Sequence, residues 1–305
     1  MSSLNLPDFP VENLDKLVRI INQCYIEDQL LPKAFNDKLL NPSKLINKLY
    51  PYSLILKDEE TNKKFYFDLM SKFNLPSPST QSPKSKNQIT NEIDYRLISL
   101  ADKSNNTKTL QFKSLNSSNK TISLDLLKGP SKSDSTSSEF IMNDYHSSQL
   151  VDMMLNHATG SDFCLIGGQG SGKTELIKRF ASYLDYGMQT VYLYKDMSAR
   201  DLIQQRITLT SGDTKWQNSS LVEAAVNGDL LILDGVHRLK DDTLMSLRRL
   251  IQDRELELLD GTRLLNYDKY DSLMADLSKK GIQLDDKVLR IHPAFRYLIW
   301  ENIII

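Results

Sequence analysis

A glycine-rich stretch between an apolar run and a helical pattern constrains the fold of this chain more than any other feature. Residues 167–174 read Gly-Gly-Gln-Gly-Ser-Gly-Lys-Thr and directly follow Phe163-Cys164-Leu165-Ile166. They fit the pattern Gly-x-x-x-x-Gly-Lys-Ser/Thr, in which main-chain N–H groups surround phosphates at a helix N-terminus. Residues 175–184 continue with apolar side chains at helical spacing. A strand, a loop and a helix in this order predict a phosphate-binding loop.

Each position of this loop has an expected role in binding a nucleotide. Gly167 and Gly172 should permit the turn. Lys173 should reach the phosphate oxygens as a point charge, and the Thr174 hydroxyl should coordinate Mg²⁺. The predicted nucleotide-binding residues are Gly167, Gly168, Gln169, Gly170, Ser171, Gly172, Lys173, Thr174 and Glu175.

A second apolar run, residues 230–233, ends in Asp234. An acid at the end of a buried strand is suited to hold the water shell of the metal. The predicted cofactors are therefore ATP and Mg²⁺, with Thr174 and Asp234 at the metal and with Lys173 and Asp234 in the catalytic roles. The plainer alternative is a glycine-rich turn that contains Lys-Thr by chance, but the flanking strand and helix favour nucleotide binding.

Composition limits the classes of partner. The 305 residues include 38 Lys+Arg and 39 Asp+Glu, a net charge of -1, so no global field attracts nucleic acid or an anionic membrane. No apolar run approaches the roughly 18 residues of a bilayer span, and the first residues lack a secretory or transit pattern. We therefore expect a soluble, intracellular protein. Cys24 and Cys164 lie far apart, which predicts neither a disulfide nor a zinc site, and Cys164 is expected to be buried in a core strand.

The predicted fold class is α/β, a P-loop parallel sheet with flanking helices that is preceded by a small helical segment and a short β-meander. The predicted domains are a helical segment at 1–75, a linker at 76–91, the three-stranded meander at 92–128, a linker at 129–140 and the P-loop core at 141–305. The helical segment fits either the lid of a preceding module or an unrelated helical cap. Within the core we expect helices at 147–157 and 241–251, strands at 189–194 and 295–300, and a hairpin around Asp260-Gly261.

Further motifs resemble those of a family. The segment Asp196-Met197-Ser198-Ala199-Arg200-Asp201-Leu202 and the later His292-Pro293-Ala294-Phe295-Arg296 resemble the dynein-related and MoxR-like branch of the AAA+ ATPases, over about 145–300. The resemblance implies ATP hydrolysis by a module that remodels or moves a protein partner, within a homo-oligomeric ring or beside neighbouring AAA+ modules. It also implies a mitochondrial location. Asn302 falls at the sensor-one position of the family.

The chain departs from the family where water is activated. AAA+ modules usually follow the metal aspartate with a glutamate that polarises the attacking water, but here the residue is Gly235. His237 is an alternative water-orienting group, and a packing residue is the plainer interpretation. The chain also ends before the family's arginine finger and lid, so we expect a fragment that hydrolyses ATP poorly alone.

Two other functions stay open for this sequence. One is a nucleotide-binding but hydrolytically silent module of a ring, which Gly235 favours. The other is a small-molecule kinase, for which no acceptor site is visible after Asp234. Trp216 fits a ring pore or a buried loop anchor equally well. The arginines considered as fingers, none of them secure, are Arg238, Arg248, Arg249 and Arg254.

Overall fold

The two largest of the four β-sheets in the described residues lie in separate units of the chain. The computed structural model describes residues 24–26, 29–30, 95–114, 121–131, 141–281 and 287–302. One unit comprises residues 1–126 and 141–161, and the other comprises residues 127–140 and 162–305.

The first unit is built on an antiparallel sheet. Its strands are β1 (Cys24–Ile26), β2 (Gln29–Leu30), β3 (Tyr95–Ser104), β4 (Thr107–Ser114) and β5 (Thr121–Leu127), in the order β2-β1-β5-β4-β3. Strand β5 alternates buried and half-buried positions, as a strand with one covered face should. Helix α1 (Asp144–Ala158) packs on β3, where the hydroxyls of Ser147 and Ser148 accept hydrogen bonds from the amides of Leu97 (2.9 Å) and Tyr95 (3.3 Å).

These elements change two of the predicted boundaries. The meander strands are present as β3, β4 and β5, but β1 and β2 extend their sheet and come from residues 1–75, which were expected to be helical. The other residues of 1–75 lie outside the described part. Helix α1 was assigned to the P-loop core from residue 141, whereas it packs on the antiparallel sheet. The second unit therefore resumes at Asp162.

The second unit alternates strands and helices. Its elements in chain order are β6 (Phe163–Gly167), α2 (Lys173–Tyr183), β7 (Met188–Tyr192), α3 (Ala199–Ile203), β8 (Gln204–Thr208), β9 (Thr214–Asn218), α4 (Ser220–Asn227), β10 (Leu230–Asp234), a 3₁₀ helix (Val236–Arg238), α5 (Asp241–Ser246), α6 (Arg248–Gln252), β11 (Leu256–Glu257), β12 (Arg263–Leu265), α7 (Tyr267–Lys280), β13 (Val288–Arg290) and β14 (Arg296–Asn302). Four strands form a parallel sheet in the order β6-β14-β10-β7. This unit is an α/β fold, a parallel sheet with flanking helices, as predicted.

Helices cover both faces of this parallel sheet. On one face α2 packs its apolar stripe inward, and the fully buried Phe180 meets Phe163 edge-on at 5.5 Å. On the other face a core of leucines from α3, α4, α6 and the β11–β12 hairpin packs on Leu231 and Leu233. Packing from both sides holds the carboxyl ends of the strands in place.

The predicted strand 189–194 corresponds to β7, and the predicted last strand to β14. The hairpin around Asp260-Gly261 is present, with Leu256 opposite Leu264 and Gly261 in the left-handed region at φ 84°. The helix expected at 241–251 is two helices, α5 and α6, which meet at Leu247. The β8–β9 hairpin and α7 were not predicted.

Cys164 is exposed rather than buried. Strand β6 lies at the edge of the sheet, and the face that carries Cys164 also leaves Ile166 60% exposed. The prediction failed because it assumed that both faces of β6 would be covered, as they are for inner strands of parallel sheets.

Candidate nucleotide-binding site

The candidate residues meet at the carboxyl edge of the parallel sheet. The glycine-rich loop leaves the end of β6, and Asp234 is the last residue of β10. Strand β14 lies between them, since Asn302 is the register partner of Gly167 and Trp300 that of Asp234. Two strand spacings sideways and an offset of two residues along the strands separate the main chains of Gly167 and Asp234 by about 12 Å, which leaves room for a hydrated metal.

Lys173 is held in place by its own loop. It is the first residue of α2 and is only 7% exposed, and its Nζ donates to the carbonyl oxygens of Gly167 (2.9 Å) and Gly168 (2.7 Å) and to Oγ of Ser171 (3.3 Å). Because a buried ammonium needs hydrogen-bond acceptors, the loop closes around it. Phosphate oxygens are stronger acceptors than carbonyls and are suited to replace them.

Of the two glycines expected to permit the turn, Gly172 does so and Gly167 does not. Gly170 (φ 78°) and Gly172 (φ 80°) adopt the left-handed region and make the turn. Gly167 does not have a positive φ. It is needed for a close approach instead, because a Cβ there would lie 3.2 Å from Oγ of Ser171. The turn therefore depends on Gly170 and Gly172, and Gly167 makes space inside the loop.

The helix that follows the loop presents an open N-terminus. Gly172 is its N-cap and offers no side-chain hydrogen bond, so no side chain of this residue competes for the first amides of α2. Thr174 is exposed at this end. Glu175 pairs with Lys178 at 2.8 Å, so its carboxylate is neutralised within the helix. The exposed loop residues Gly168, Gln169 and Gly170 form the rim.

Asp234 fits the role of a metal-shell ligand. Its carboxylate is half-buried at the end of β10 and makes no hydrogen bond or ion pair with another side chain in the described ranges. A partly enclosed carboxylate with free lone pairs and an exposed threonine hydroxyl are oxygen donors of the kind that Mg²⁺ prefers. Thr174 and Asp234 would hold the ion together with phosphate oxygens and water.

A side chain on the residue after Asp234 would be crowded and would require a strained backbone. Gly235 has a φ of 87°, and a Cβ on it would lie 3.2 Å from Cδ and from Nε of Arg238 and 3.2 Å from the carbonyl oxygen of Leu193. The usual glutamate is therefore absent, and this turn of the backbone also disfavours one. The exposed His237 and Arg238 lie on the 3₁₀ helix that starts here.

Arg254, one of the finger candidates, is part of the core. Its guanidinium pairs with Asp162, which is 13% exposed, and lies 5.3 Å and 5.1 Å from the ring centroids of Phe295 and Tyr297. Asp162 precedes β6, so this cluster lies at the amino-terminal end of the sheet, away from Asp234. The low polarity raises the pKa of the Tyr297 hydroxyl, first through burial and then through the charge of Asp162. Arg254 therefore serves packing.

The other finger candidates differ in their surroundings. Arg249 pairs with Glu255 (3.1 Å) and Arg248 donates to Gln252 (3.0 Å) on the surface of α6.

Sequence reasoning did not single out the contact of Arg238 with Gly235. The signal available was a glycine in place of the glutamate with an arginine three residues later. Trp216 is half-buried on β9, in register with Arg206 of β8.

Comparisons with known proteins agree with this geometry. Residues 162–299 match the family described as AAA domain, dynein-related subfamily. Von Willebrand factor A domain-containing protein 8 of Mus musculus is 35% identical over 305 residues, which cover 97% of this chain and 14% of that protein. Denitrification regulatory protein NirQ of Stutzerimonas stutzeri is 32% identical over 106 residues (35% of this chain, 38% of NirQ). Protein CbbQ of Hydrogenophilus thermoluteolus is 30% identical over 138 residues (45% of this chain, 43% of CbbQ).

The chain thus spans less than half the length of each of these relatives. Among the helices in the described part of the chain, none combines the length and the apolar character that a bilayer span requires.

Proposed function

We propose that this chain, whose residues 162–299 form an AAA domain of the dynein-related subfamily, binds Mg²⁺·ATP at the carboxyl edge of its parallel sheet and uses ATP hydrolysis to act on a protein partner. The observation that carries the proposal is the loop closed around Lys173, whose ammonium rests on the carbonyls of Gly167 and Gly168. A buried cation beside an open helix N-terminus is a site for a polyphosphate.

Each residue of the site has a defined task in this proposal. The amides of 167–174 surround the β- and γ-phosphates, and Lys173 supplies a positive charge to their oxygens. The Thr174 hydroxyl and the Asp234 carboxylate would hold Mg²⁺ and its water, and the ion would supply positive charge to the phosphates. These residues position the phosphates and neutralise their charge. None of them accepts a proton from water.

A second candidate function follows from Gly235. The site then binds ATP and retains it, and serves as a structural module of a ring. The observation in its favour is that the turn at Gly235 lacks a carboxylate and has a backbone conformation that disfavours any residue with a side chain. Without a group that polarises water, the attack on the phosphate loses the rate acceleration of about 10²–10⁴-fold that a general base typically contributes. No observation in the described residues favours a kinase.

The assembly is part of the proposal. We propose that the chain works in a homo-oligomeric ring or beside neighbouring AAA modules, because an arginine that stabilises transferred phosphate is often supplied by a neighbour. We propose in the same way that the chain acts on a protein partner and that it works in mitochondria. We also propose that it contributes to the activity of a longer protein, of which the mouse relative is an example.

A single-turnover assay tests the proposed function and separates the two candidates. Radiolabelled ATP is mixed with excess protein and Mg²⁺, and bound ATP and released phosphate are followed on filters. Both candidates predict retained ATP that Lys173→Ala abolishes, whereas Lys279→Ala, at a side chain that is 78% exposed, binds like the wild type. Phosphate release that is faster than the hydrolysis of free ATP supports the hydrolysing module, and retention without such release supports the silent module. If Lys173→Ala retained as much ATP as the wild type, both candidate functions would be refuted.

A further inference from the structure

Strand β7 leaves one of its edges open within the described part of the chain. It is the last strand in the order β6-β14-β10-β7, so β10 is its partner on one side only. Hydrogen bonds at the carbonyl of Gly187 and at the amide of Leu193 show that the odd-numbered residues of this segment face β10. Because main-chain groups alternate between the two sides of a strand, those of Thr190 and Tyr192 point away from β10, toward the open edge.

The sequence of β7 lacks the features that usually protect an open edge. Edge strands commonly carry a charge, a proline or a bulge that keeps other strands away. Met188–Tyr192 reads MQTVY, with no charge and no proline, and its register with β10 is unbroken. Thr190 is exposed, and Tyr192 is 68% exposed. The edge is therefore accessible and has residue types that favour pairing with a further strand.

A groove with a volume of about 370 Å³ lies beside this edge. Residues 190–192 of β7 form one wall. Apart from two leucines, the other lining residues, which come from α3, β8, β9 and the start of α4, are polar: Asp201, Gln205, Gln217, Asn218, Ser219 and Ser220. Amides and hydroxyls both donate and accept hydrogen bonds. Together with the outward main-chain groups of β7, they match a ligand that presents alternating donors and acceptors, as an extended peptide does.

Asp201 gives the groove its charge, since it is the one charged residue among the described residues that line it. Its Oδ2 accepts from the amide (2.9 Å) and the hydroxyl (2.7 Å) of Ser198. These bonds lower the pKa of Asp201, so the carboxylate is ionised at neutral pH. Oδ1 accepts a long bond of 3.4 Å from Gln205. An ionised carboxylate with acceptor capacity to spare favours a basic side chain in the ligand.

We propose that the β7 edge and this groove bind an extended peptide segment that carries a lysine or an arginine, and that the segment adds to the sheet as a further strand. Main-chain hydrogen bonds to Thr190 and Tyr192 supply affinity, and Asp201 selects the basic side chain. The exposed ring of Tyr192 packs against alternate side chains of the segment.

This inference rests on the proposed function only in assigning the peptide to the protein partner. Binding of the peptide itself needs no nucleotide, because β7 lies at the opposite edge of the sheet from β6 and its glycine-rich loop.

Fluorescence anisotropy with three labelled nonapeptides tests the assignment in the absence of nucleotide. The peptides alternate threonine and valine and differ only in the central residue, which is lysine, glutamine or glutamate. The wild type should bind the lysine peptide about three- to fivefold more tightly than the glutamine peptide, the worth of a partly exposed ion pair, and the glutamate peptide most weakly. A lysine peptide with methylated main-chain nitrogens lacks the donors for strand pairing and should bind at least about tenfold more weakly.

Substitutions at Thr190 separate main-chain pairing from side-chain effects. Thr190→Pro removes an outward N–H without breaking a bond to β10, which an edge strand tolerates. It should weaken binding of the lysine peptide at least about tenfold, whereas Thr190→Val, which keeps the N–H, should bind like the wild type. Asp201→Asn should remove the preference for lysine over glutamine, and Asp241→Asn, outside the groove, should keep it. Circular dichroism shows whether each variant is folded, and the methylated peptide tests the same pairing on the wild type if Thr190→Pro does not fold.

The outcomes that contradict the inference differ from those that contradict the proposed function. A wild type that binds Mg²⁺·ATP but none of the peptides would overturn the inference alone. Equal binding of the methylated and unmethylated peptides, or of the lysine, glutamine and glutamate peptides, would also overturn it. Self-association that Thr190→Pro abolishes, without peptide binding, would assign the edge to a second copy of the chain instead. Peptide binding by a wild type that does not bind Mg²⁺·ATP would refute the proposed nucleotide site and leave the groove in place.

Discussion

At the scale of single residues, Asp234 shows how far a local pattern predicts chemistry. An apolar run that ends in an acid placed this carboxylate at a strand end, and the structure leaves it there without a side-chain partner among the described residues. What the sequence does not contain is its distance from Lys173 along the sheet edge. That distance depends on β14, which follows β10 by more than sixty residues and lies between β10 and β6.

Asp234→Asn should make ATP binding less dependent on magnesium. The amide keeps the shape of the side chain but loses the negative charge that attracts the hydrated ion. We expect about tenfold weaker binding of ATP with Mg²⁺ and no change in EDTA, measured by calorimetry. Asp241→Asn, in the exposed first turn of α5, is the matched control and should bind like the wild type. Equal losses with and without metal would show that the carboxylate acts on something other than Mg²⁺.

Arg254→Ala should destabilise the fold and leave nucleotide binding intact. The substitution leaves Asp162 unpaired beside two aromatic rings, and breaking such a mostly buried pair costs about 3 kcal/mol. Denaturant unfolding measures that loss, and a titration with Mg²⁺·ATP checks the affinity. Arg249→Ala, whose guanidinium is exposed beside Glu255, should cost less than about 1 kcal/mol. A stable Arg254→Ala protein that had lost ATP binding would reverse the assignment.

At the scale of elements, what the sequence predicted correctly was local. The glycine-rich loop, the helix α2 and the Asp260-Gly261 hairpin each depend on neighbouring residues. The β8–β9 hairpin was missed because its strands are largely exposed and polar, so no apolar alternation distinguishes them. The face of β6 was misjudged for a related reason. Whether a strand lies inside a sheet or at its edge depends on pairing with distant segments. The local spacing of apolar residues does not predict it.

The turn before β14 should make stability sensitive to mild acid. Nδ1 of His292 accepts a hydrogen bond from the Ala294 amide (3.1 Å), which requires the neutral ring. Burial lowers the pKa of His292 below 6.5, helped by the charge of Arg290 and opposed by Asp229. The unfolded chain therefore takes up a proton first, and stability falls as the pH decreases from about 6.5 towards the folded pKa. Asp229, whose pKa is raised by burial, acts in the opposite direction.

Thermal unfolding between pH 7.5 and pH 5 measures this effect. The wild type should lose melting temperature across that interval. His292→Asn should start from a lower melting temperature and show a smaller decrease, because it lacks the titrating ring. Parallel curves for the two proteins would mean that the acid sensitivity arises elsewhere.

At the scale of the whole molecule, the two units and the proposed assembly were the least predictable. Helix α1 precedes the P-loop strand and reads as part of the same α/β alternation, yet it packs on the antiparallel sheet. Only the long-range contacts of Ser147 and Ser148 with β3 reveal this. It is easier to predict from a sequence that a helix forms than to predict which sheet that helix covers.

Ring formation gives a prediction at this scale. If the nucleotide links neighbouring modules, Mg²⁺·ATP should shift the chain from monomer towards oligomers, and phosphate release per chain should rise with protein concentration. Mass photometry of the protein with and without nucleotide measures the first effect. Lys173→Ala should stay monomeric under both conditions. Brisk hydrolysis that is independent of protein concentration would contradict a site completed by a neighbour.

Lys173, inside its closed loop, is proposed to bind the polyphosphate of ATP. The most direct measurement is a calorimetric titration of wild type and Lys173→Ala with Mg²⁺·ATP at equal protein concentration, with circular dichroism to show that both are folded. We expect saturable binding at one site in the wild type and an affinity at least about a hundredfold lower in the variant. Identical isotherms for the two folded proteins would contradict it.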